Sequence, residues 1–304
     1  MDGILALWKE RGMTSHDCVL QLRKILQTKK IGHGGTLDPD VDGVLPICIG
    51  KGGKVIEYLV DSGKTYEGEV TLGFSTTTED MSGKIVAESR MDSMLATSEI
   101  DAVMKVFVGE ITQIPPMYSA VKVNGKRLYE YAREGISIER PKRQIHILSF
   151  DRASEPIFDE KGGTQSFRFR VECGKGTYIR TLAVDLGKKL GLESHLSDLT
   201  RTKSAGINYY EAHTLDEVEE AVKAGIFEEF LFPIEIGVAD FPRIDLNDEL
   251  YQKVKHGACL AWNELGLTSR LNSLIALFYR EKLISIYQNH PDKEGILKPS
   301  KVFH

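Results

Sequence analysis

Between Lys30 and Gly50 the chain reads KIGHGGTLDPDVDGVLPICIG, a segment that excludes a helix and sets a stiff loop early in the fold. Gly34, Gly35, Pro39 and Gly43 would each interrupt a helix, through backbone entropy or a missing N–H. Two short apolar runs flank the interruption. The segment is therefore expected to enter and leave strands, with the backbone held close to a neighbour at the glycines. Pro39 biases Asp38 towards an extended backbone. A carboxylate on such a loop is well placed to do chemistry.

The same residues exclude an attractive alternative. Asp38-Pro39-Asp40-Val41-Asp42-Gly43 matches the opening D-x-D-x-D-G of a calcium loop. Such a loop needs a bidentate Glu at position twelve, which here is Ile49, and a helix on each side. Gly32 to Leu37 gives no entering helix and Pro46 spoils the leaving one. No metal site is expected.

A length of 304 residues suggests two domains with a sizeable core. No apolar run approaches the length of a membrane span, and Asp2 with Lys9-Glu10-Arg11 makes no signal peptide. Cys18, Cys48, Cys173 and Cys259 are far apart and are expected to be reduced thiols of a cytoplasmic protein. The net charge of −5 argues against a nucleic-acid partner until its distribution is considered. Residues 211–250 hold twelve acids and two bases, a local balance of −10 that leaves the remainder at +5. From Ala120 to Arg152 eight bases face four acids. Binding to RNA depends on where charge lies rather than on its sum.

Along the chain, Gly3–Leu7 reads as a strand and Ser15 as the N-cap of a helix with Val19, Leu22 and Leu26 inward. Lys64–Gly73 and Ser166–Cys173 alternate as strands do. Thr76–Gly83 is a polar loop, and Ser98 with Asp101 forms a capping box for a helix to about Val108. Gln113–Arg133 mixes aromatics with bases, which suits base stacking and phosphate contact. Gly174-Lys175-Gly176-Thr177 looks like part of a phosphate loop, but the full G-x-x-x-x-G-K-[ST] is absent. Thr214 and Glu217 cap a helix to Ala224. From about Ala239 the chain turns to short strands.

Four separated stretches resemble, in order, the motifs of the bacterial tRNA pseudouridine synthases that modify uridine 55, the TruB family. GHGGTLDPDVDGVLPICIG resembles the active-site motif, although Gly34-Gly35 and Asp40-Val41-Asp42 depart from its usual wording. Lys64-Thr65-Tyr66 resembles the K-x-Y motif. Pro115-Pro116-Met117-Tyr118-Ser119-Ala120 with Lys122, Gly125, Tyr129 and Ala132-Arg133 resembles the RNA-gripping insertion. Gly176-Thr177-Tyr178-Ile179-Arg180-Thr181 and His195, Leu199 and Arg201 resemble the third motif and its sequel. His256-Gly257 and Lys298–Phe303 are similar, more weakly, to a PUA-like β-domain.

That resemblance implies an α+β fold: a pseudouridine synthase-type mixed, mainly antiparallel sheet with flanking helices. It implies a catalytic domain over 1–238, an insertion at about 113–135, and a PUA-like domain over 239–304. The implied activity is isomerisation of uridine 55 in the tRNA TΨC arm, with no cofactor or metal. The implied protein is a monomer without an obligate protein partner or membrane contact. Asp38 inherits the role of nucleophile, Arg180 that of its partner, and Tyr66 packing on the target base. His33, Lys64, Tyr178, Leu199, Tyr118, Lys122, Arg127 and Arg133 are the implied substrate-binding residues.

Elementary chemistry agrees with these roles. A carboxyl of pKa about 3.9 is ionised at neutral pH and needs no base to activate it. Burial beneath a base costs free energy, which a guanidinium would offset while holding the carboxylate's aim. A phenolate at pH 7 costs about 4 kcal/mol, which favours packing over proton abstraction for the catalytic-site Tyr66 and leaves the proton-abstracting role open. Two readings from other classes remain open at this point. One is a tRNA-binding or folding-assistant protein in which modification is secondary; the other is a metal-dependent hydrolase using Asp38, Asp40 and Asp42.

Overall fold

The computed structural model describes residues 1–303. Its strands form where alternation and β-branched or aromatic residues favour them. β1 (Gly3–Lys9) leads into α1 (Ser15–Ile25), and β2 (Asp42–Ile49) leaves the glycine-rich loop. β3 (Lys64–Leu72), β4 (Gly109–Gln113), β5 (Arg143–Arg152) and β6 (Thr164–Cys173) follow. α2 (Ile179–Lys189), β7 (Ser194–Ser204) and β8 (Leu231–Phe232) complete the larger unit. These strands run β8-β1-β2-β7-β3-β6-β5-β4, with three short strands paired on the flanks of the same sheet. Every strand pairing in it is antiparallel except β2 with β7.

On β6 the period of two is plain: Phe167, Phe169, Val171 and Cys173 are buried while Arg168 and Arg170 face solvent. The buried row packs against Ile179, Leu182, Ala183 and Leu186 of α2. Each such side chain contributes about 1.5–3 kcal/mol on burial. This packing anchors the start of α2, and with it Arg180.

A second sheet is built from β9 (Arg243–Asp245), β10 (Leu260–Ala261), β11 (Ile275–Tyr279), β12 (Lys282–Asn289) and β13 (Ile296–Val302). Its order is β9-β11-β12-β13-β10. It does not stand apart. Phe278, Leu283, Ile286 and Phe303 share one apolar cluster with Ile4, Ala6, Cys48, Val55 and Leu59 of the larger unit. Lys301 and Glu57 pair at 3.0 Å across the same seam. The architecture is α+β, as expected, and among the described residues no helix is long and apolar enough to cross a membrane.

Local expectations fail in two instructive places. The cap of α1 is Thr14, not Ser15: Thr14 Oγ1 accepts from Asp17 N–H while Asp17 accepts from Thr14 N–H. Ser15 is thereby freed for another task, described below. The helix Thr97–Val106 has Ala96 at its cap position with no side-chain bond, so Ser98 and Asp101 do not form the expected box. Asp101 instead accepts from Arg152 at 2.9 Å, a charge-assisted bond that outweighs a neutral cap.

Candidate active site

The loop between Ile31–His33 and β2 carries Asp38, and neighbouring elements hold it at several points. Ser15 Oγ both accepts from Leu37 N–H (2.9 Å) and donates to Leu37 O (3.2 Å). Lys9 Nζ, wholly buried, donates to Pro39 O at 3.0 Å, and Gly12 N–H donates to the same carbonyl at 2.9 Å. The sheet beneath is mixed, so β7 runs parallel to β2 and brings its own side chains under the loop.

Asp38 Oδ2 lies 2.9 Å from Nη2 of Arg180, whose side chain is 7% exposed against 43% for Asp38. The same guanidinium donates to Thr78 O (3.0 Å) and Tyr118 O (2.9 Å) and faces Asp80 Oδ2 at 3.8 Å. Burial pushes the Asp38 carboxyl above the usual carboxylate range, and Arg180 works against that rise. The outcome is a carboxylate less well solvated than an exposed one and aimed by a fixed donor. Such a group is a ready nucleophile.

The chain neighbours of this pair belong to the apolar core. Leu37, Tyr66, Ile179 and Leu199 belong to one buried cluster, placing Tyr66 and Leu199 among the chain neighbours of Asp38 and Arg180. Tyr66 is 7% exposed. Burial raises its phenol pKa, and a hydrogen bond and positive charge from Arg201 only partly counter this. The phenol is held neutral, which favours packing over proton abstraction.

The remaining predicted residues divide by location. Tyr118 joins the site through its carbonyl and, with Glu79, Met117, Ile136 and Arg140, lines an adjoining cavity of about 490 Å³. Tyr178 is tied at both backbone atoms to Gln113, at 2.7 and 3.0 Å. His33 is partly buried with no partner for Nδ1, and burial lowers its pKa, so the ring is neutral at pH 7. Lys64 points elsewhere: Nζ donates to Val60 O and Ser62 O. It lines a cleft of about 640 Å³ towards Phe241 and Leu274, and burial lowers its pKa to about 8. Lys122, Arg127 and Arg133 are exposed on the hairpin Lys122–Val123/Lys126–Arg127 and the helix Leu128–Arg133. Arg127 and Arg133 both lie over the Tyr129 ring, at 5.7 and 5.3 Å.

Sequence reasoning missed three residues here, Asp80, Glu79 and Lys9, and named a fourth, Arg201, only as part of a motif. Asp80 was legible only as part of a polar loop, yet its carboxylate accepts from Thr78 Oγ1, Ser82 N–H and Ser82 Oγ while facing Arg180. Glu79 accepts from Thr181 Oγ1 at 2.7 Å, beside Arg180 in the chain. Lys9 and Arg201 are buried cations, and an inward-facing Lys in an apolar strand was a signal for the first. The charge of Asp42 is met by Arg11 at 3.3 Å and by Thr200 Oγ1 at 2.6 Å.

The whole chain can be compared with solved structures. It matches a chain in the crystal structure of a Cbf5–Nop10–Gar1 complex with a TM-score of 0.76 and 28% identity, over 99% of this chain and 85% of that one. It matches a chain of an H/ACA RNP bound to a substrate RNA containing 2′-deoxyuridine with a TM-score of 0.73 and 26% identity, over 99% and 85%. Sheet order, the pairing of Asp38 with a buried guanidinium and these likenesses define a pseudouridine synthase, an isomerase of RNA. The chain belongs to the TruB family: residues 23–179 match the TruB family pseudouridylate synthase N-terminal domain, and residues 180–239 the tRNA pseudouridylate synthase B C-terminal domain. The tRNA pseudouridine synthase B of Bacillus pumilus is 51% identical over 99% of this chain and 97% of its own length. That of Streptococcus mutans is 53% identical over 100% and 99%.

Proposed function

We propose that this protein converts uridine 55 in the TΨC arm of tRNA to pseudouridine, with Asp38 as nucleophile. The observation that carries the reading is the 2.9 Å contact between Asp38 and buried Arg180. The target base leaves the arm at a cost of about a few kcal/mol and enters the recess walled by Tyr66 and Leu199. Asp38 bonds to the sugar or the base, the N1–C1′ bond breaks, and the uracil turns. C5 then bonds to C1′, the bond to Asp38 breaks and returns the free carboxylate, the proton on C5 leaves, and N1 takes one up. No atom is gained or lost, so no redox partner or energy source is required.

Arg180 holds the carboxylate's aim through these steps, and Tyr66 packs against the base as a neutral phenol. His33 stacks where the base left, with Tyr178 supporting the recess and Tyr118 held against Arg180. Lys122, Arg127 and Arg133 of the insertion at 113–135 meet phosphates of the arm. Residues 1–238 act as the catalytic domain and 239–304 as a PUA-like unit, in a cytoplasmic monomer. Relatives named tRNA pseudouridine synthase B over nearly their full length support tRNA as the substrate.

The test is direct. Purified protein is incubated with a TΨC-arm transcript in EDTA, without nucleotides, and pseudouridine is mapped. Conversion at a single uridine, abolished in Asp38→Asn with binding retained, is the expected result. Full conversion by Asp38→Asn would refute the assignment.

A further inference from the structure

Arg201 is 1% exposed, and no carboxylate among the described residues pairs with it. A guanidinium stays charged at any working pH, so burying it without a counter-ion is costly unless its donors are satisfied. Here they are satisfied by one segment. Nε donates to Val44 O at 2.8 Å, Nη2 lies 3.3 Å from Gly35 O, and Nη1 lies 3.5 Å from Thr36 O. Those carbonyls bracket Asp38 in the chain, three and two residues before it and six after.

The backbone around Arg201 is shaped for this reach. It faces Gly43 in the single parallel pairing of the sheet, and Gly43 has a φ of +122°. A Cβ at Gly43 would lie 2.2 Å from Arg201 O, so only glycine admits so close an approach. On its other edge β7 shifts register against β3 between Arg201 and Lys203, an irregularity of the kind that re-aims a side chain. Tyr66 is the cross-strand partner of Arg201 on β3. One side chain therefore touches both flanks of the Asp38 loop, from a strand position directly opposite Tyr66.

We propose that Arg201 is the positioning residue of this site: its guanidinium ties both ends of the Gly35–Val44 segment by their carbonyls and so fixes where Asp38 points. It does not touch the reacting atoms, and it differs in this from Arg180, which meets the Asp38 carboxylate itself. The proposal rests on Asp38 being the nucleophile. The planar fork matters more than the charge, because three carbonyls in different directions need separate donors. A lysine at 201 would keep the charge and lose the span.

The experiment measures single-turnover rate under enzyme excess, and transcript Kd, for wild type, Arg201→Lys, Gly35→Ala and Asp38→Asn. A misplacement of about 1 Å costs on the order of a hundredfold in rate, so Arg201→Lys is expected to fall by at least about thirtyfold with Kd within about threefold. Gly35→Ala approaches the same contact from the loop side without altering the core. Its φ of +108° strains any side chain, and the new Cβ would sit 3.5 Å from Arg201 Nη1. The same split, at about tenfold or more, is expected there. Should Arg201→Lys not fold, Gly35→Ala decides alone. A folded variant whose rate stays within about threefold of wild type, or whose rate and affinity fall by one factor, overturns the proposal. An active Asp38→Asn would instead remove the reading beneath it, whereas an inactive Asp38→Asn beside a normal Arg201→Lys would remove only the positioning role.

Discussion

Asp80 Oδ2 lies 3.8 Å from Nε of Arg180, so the guanidinium that meets Asp38 faces a second carboxylate at the same time. Asp80 is itself fixed by Thr78 and Ser82, which makes it the rigid member of the three. The arrangement limits the rotation of Arg180 and hence the placement of the contact to Asp38.

Asp80→Asn keeps the local hydrogen bonds and removes the charge that Arg180 faces. Turnover is expected to fall by about ten- to a hundredfold, with tRNA affinity nearly unchanged, because the loss is one of aim at the reacting group. Parallel measurement of kcat and Kd checks it. Equal losses in both would show that Asp80 acts on binding instead.

The raised pKa of Asp38 has a sign that can be tested through stability. Its folded value exceeds the unfolded one, so at pH values above both the ionised side chain opposes folding. That opposition disappears below the unfolded value of about 3.9. Asp38→Asn is therefore expected to be more stable to urea than wild type at pH 7.5. The gap should narrow as pH falls through the folded pKa. In activity, the acid limb of the single-turnover profile should lie above the ordinary carboxylate value. A variant no more stable than wild type at pH 7.5 would contradict the desolvated carboxylate.

Tyr66 makes a second pH prediction. Burial lifts its phenol above 10, so almost none is ionised at neutral pH. If phenolate carried a rate-limiting step, the rate would rise tenfold per pH unit from 7 to 9. A flat profile over that interval is expected for the wild type, with Tyr66→Phe sharing its shape. A rise of unit slope that vanishes in Tyr66→Phe would restore the proton-abstracting role.

Much of this was legible in the residues themselves, and the limits have physical reasons. Alternation revealed β6, which buries one face and exposes Arg168 and Arg170 on the other, and β3, where buried and half-buried residues alternate from Tyr66 to Val70. β7 escaped notice because its pattern is broken by two register shifts and carries charged residues at its middle. β13 was obscured by Pro299, which the ladder tolerates at one of its irregular positions. The Asp38–Arg180 pair was foreseen from motif resemblance; spacing alone could not join residues so far apart. Asp80 and the role of Arg201 were not foreseen, since their partners are a distant guanidinium and backbone carbonyls that a sequence does not display.

The exposed bases of the insertion should separate binding from chemistry. Arg127 and Arg133 flank the Tyr129 ring, whereas Lys126 is already paired with Glu134. Each free base that meets a phosphate releases counterions, so Arg127→Ala and Arg133→Ala should each lower the salt slope of log Kd by about 0.7–0.9. KM should rise and kcat stay close to wild type. Lys126→Ala should change the slope far less. An unchanged slope in both arginine variants would place the RNA elsewhere.

The seam between the two sheets carries the last prediction. Phe278, Ile286 and Phe303 pack into the same cluster as Ile4, Val55 and Leu59, so the second sheet completes a core that the first cannot close alone. Phe278→Ala leaves a cavity in that seam and should destabilise the protein by about 3–5 kcal/mol. Because the cluster is shared, the loss should appear as one earlier transition rather than as separate melting of residues 239–304. Lys301→Ala, which removes a partly exposed ion pair with Glu57, should cost less than about 1 kcal/mol. Two resolved transitions in calorimetry of Phe278→Ala would mean that the sheets fold independently and that the apolar seam only fastens them together.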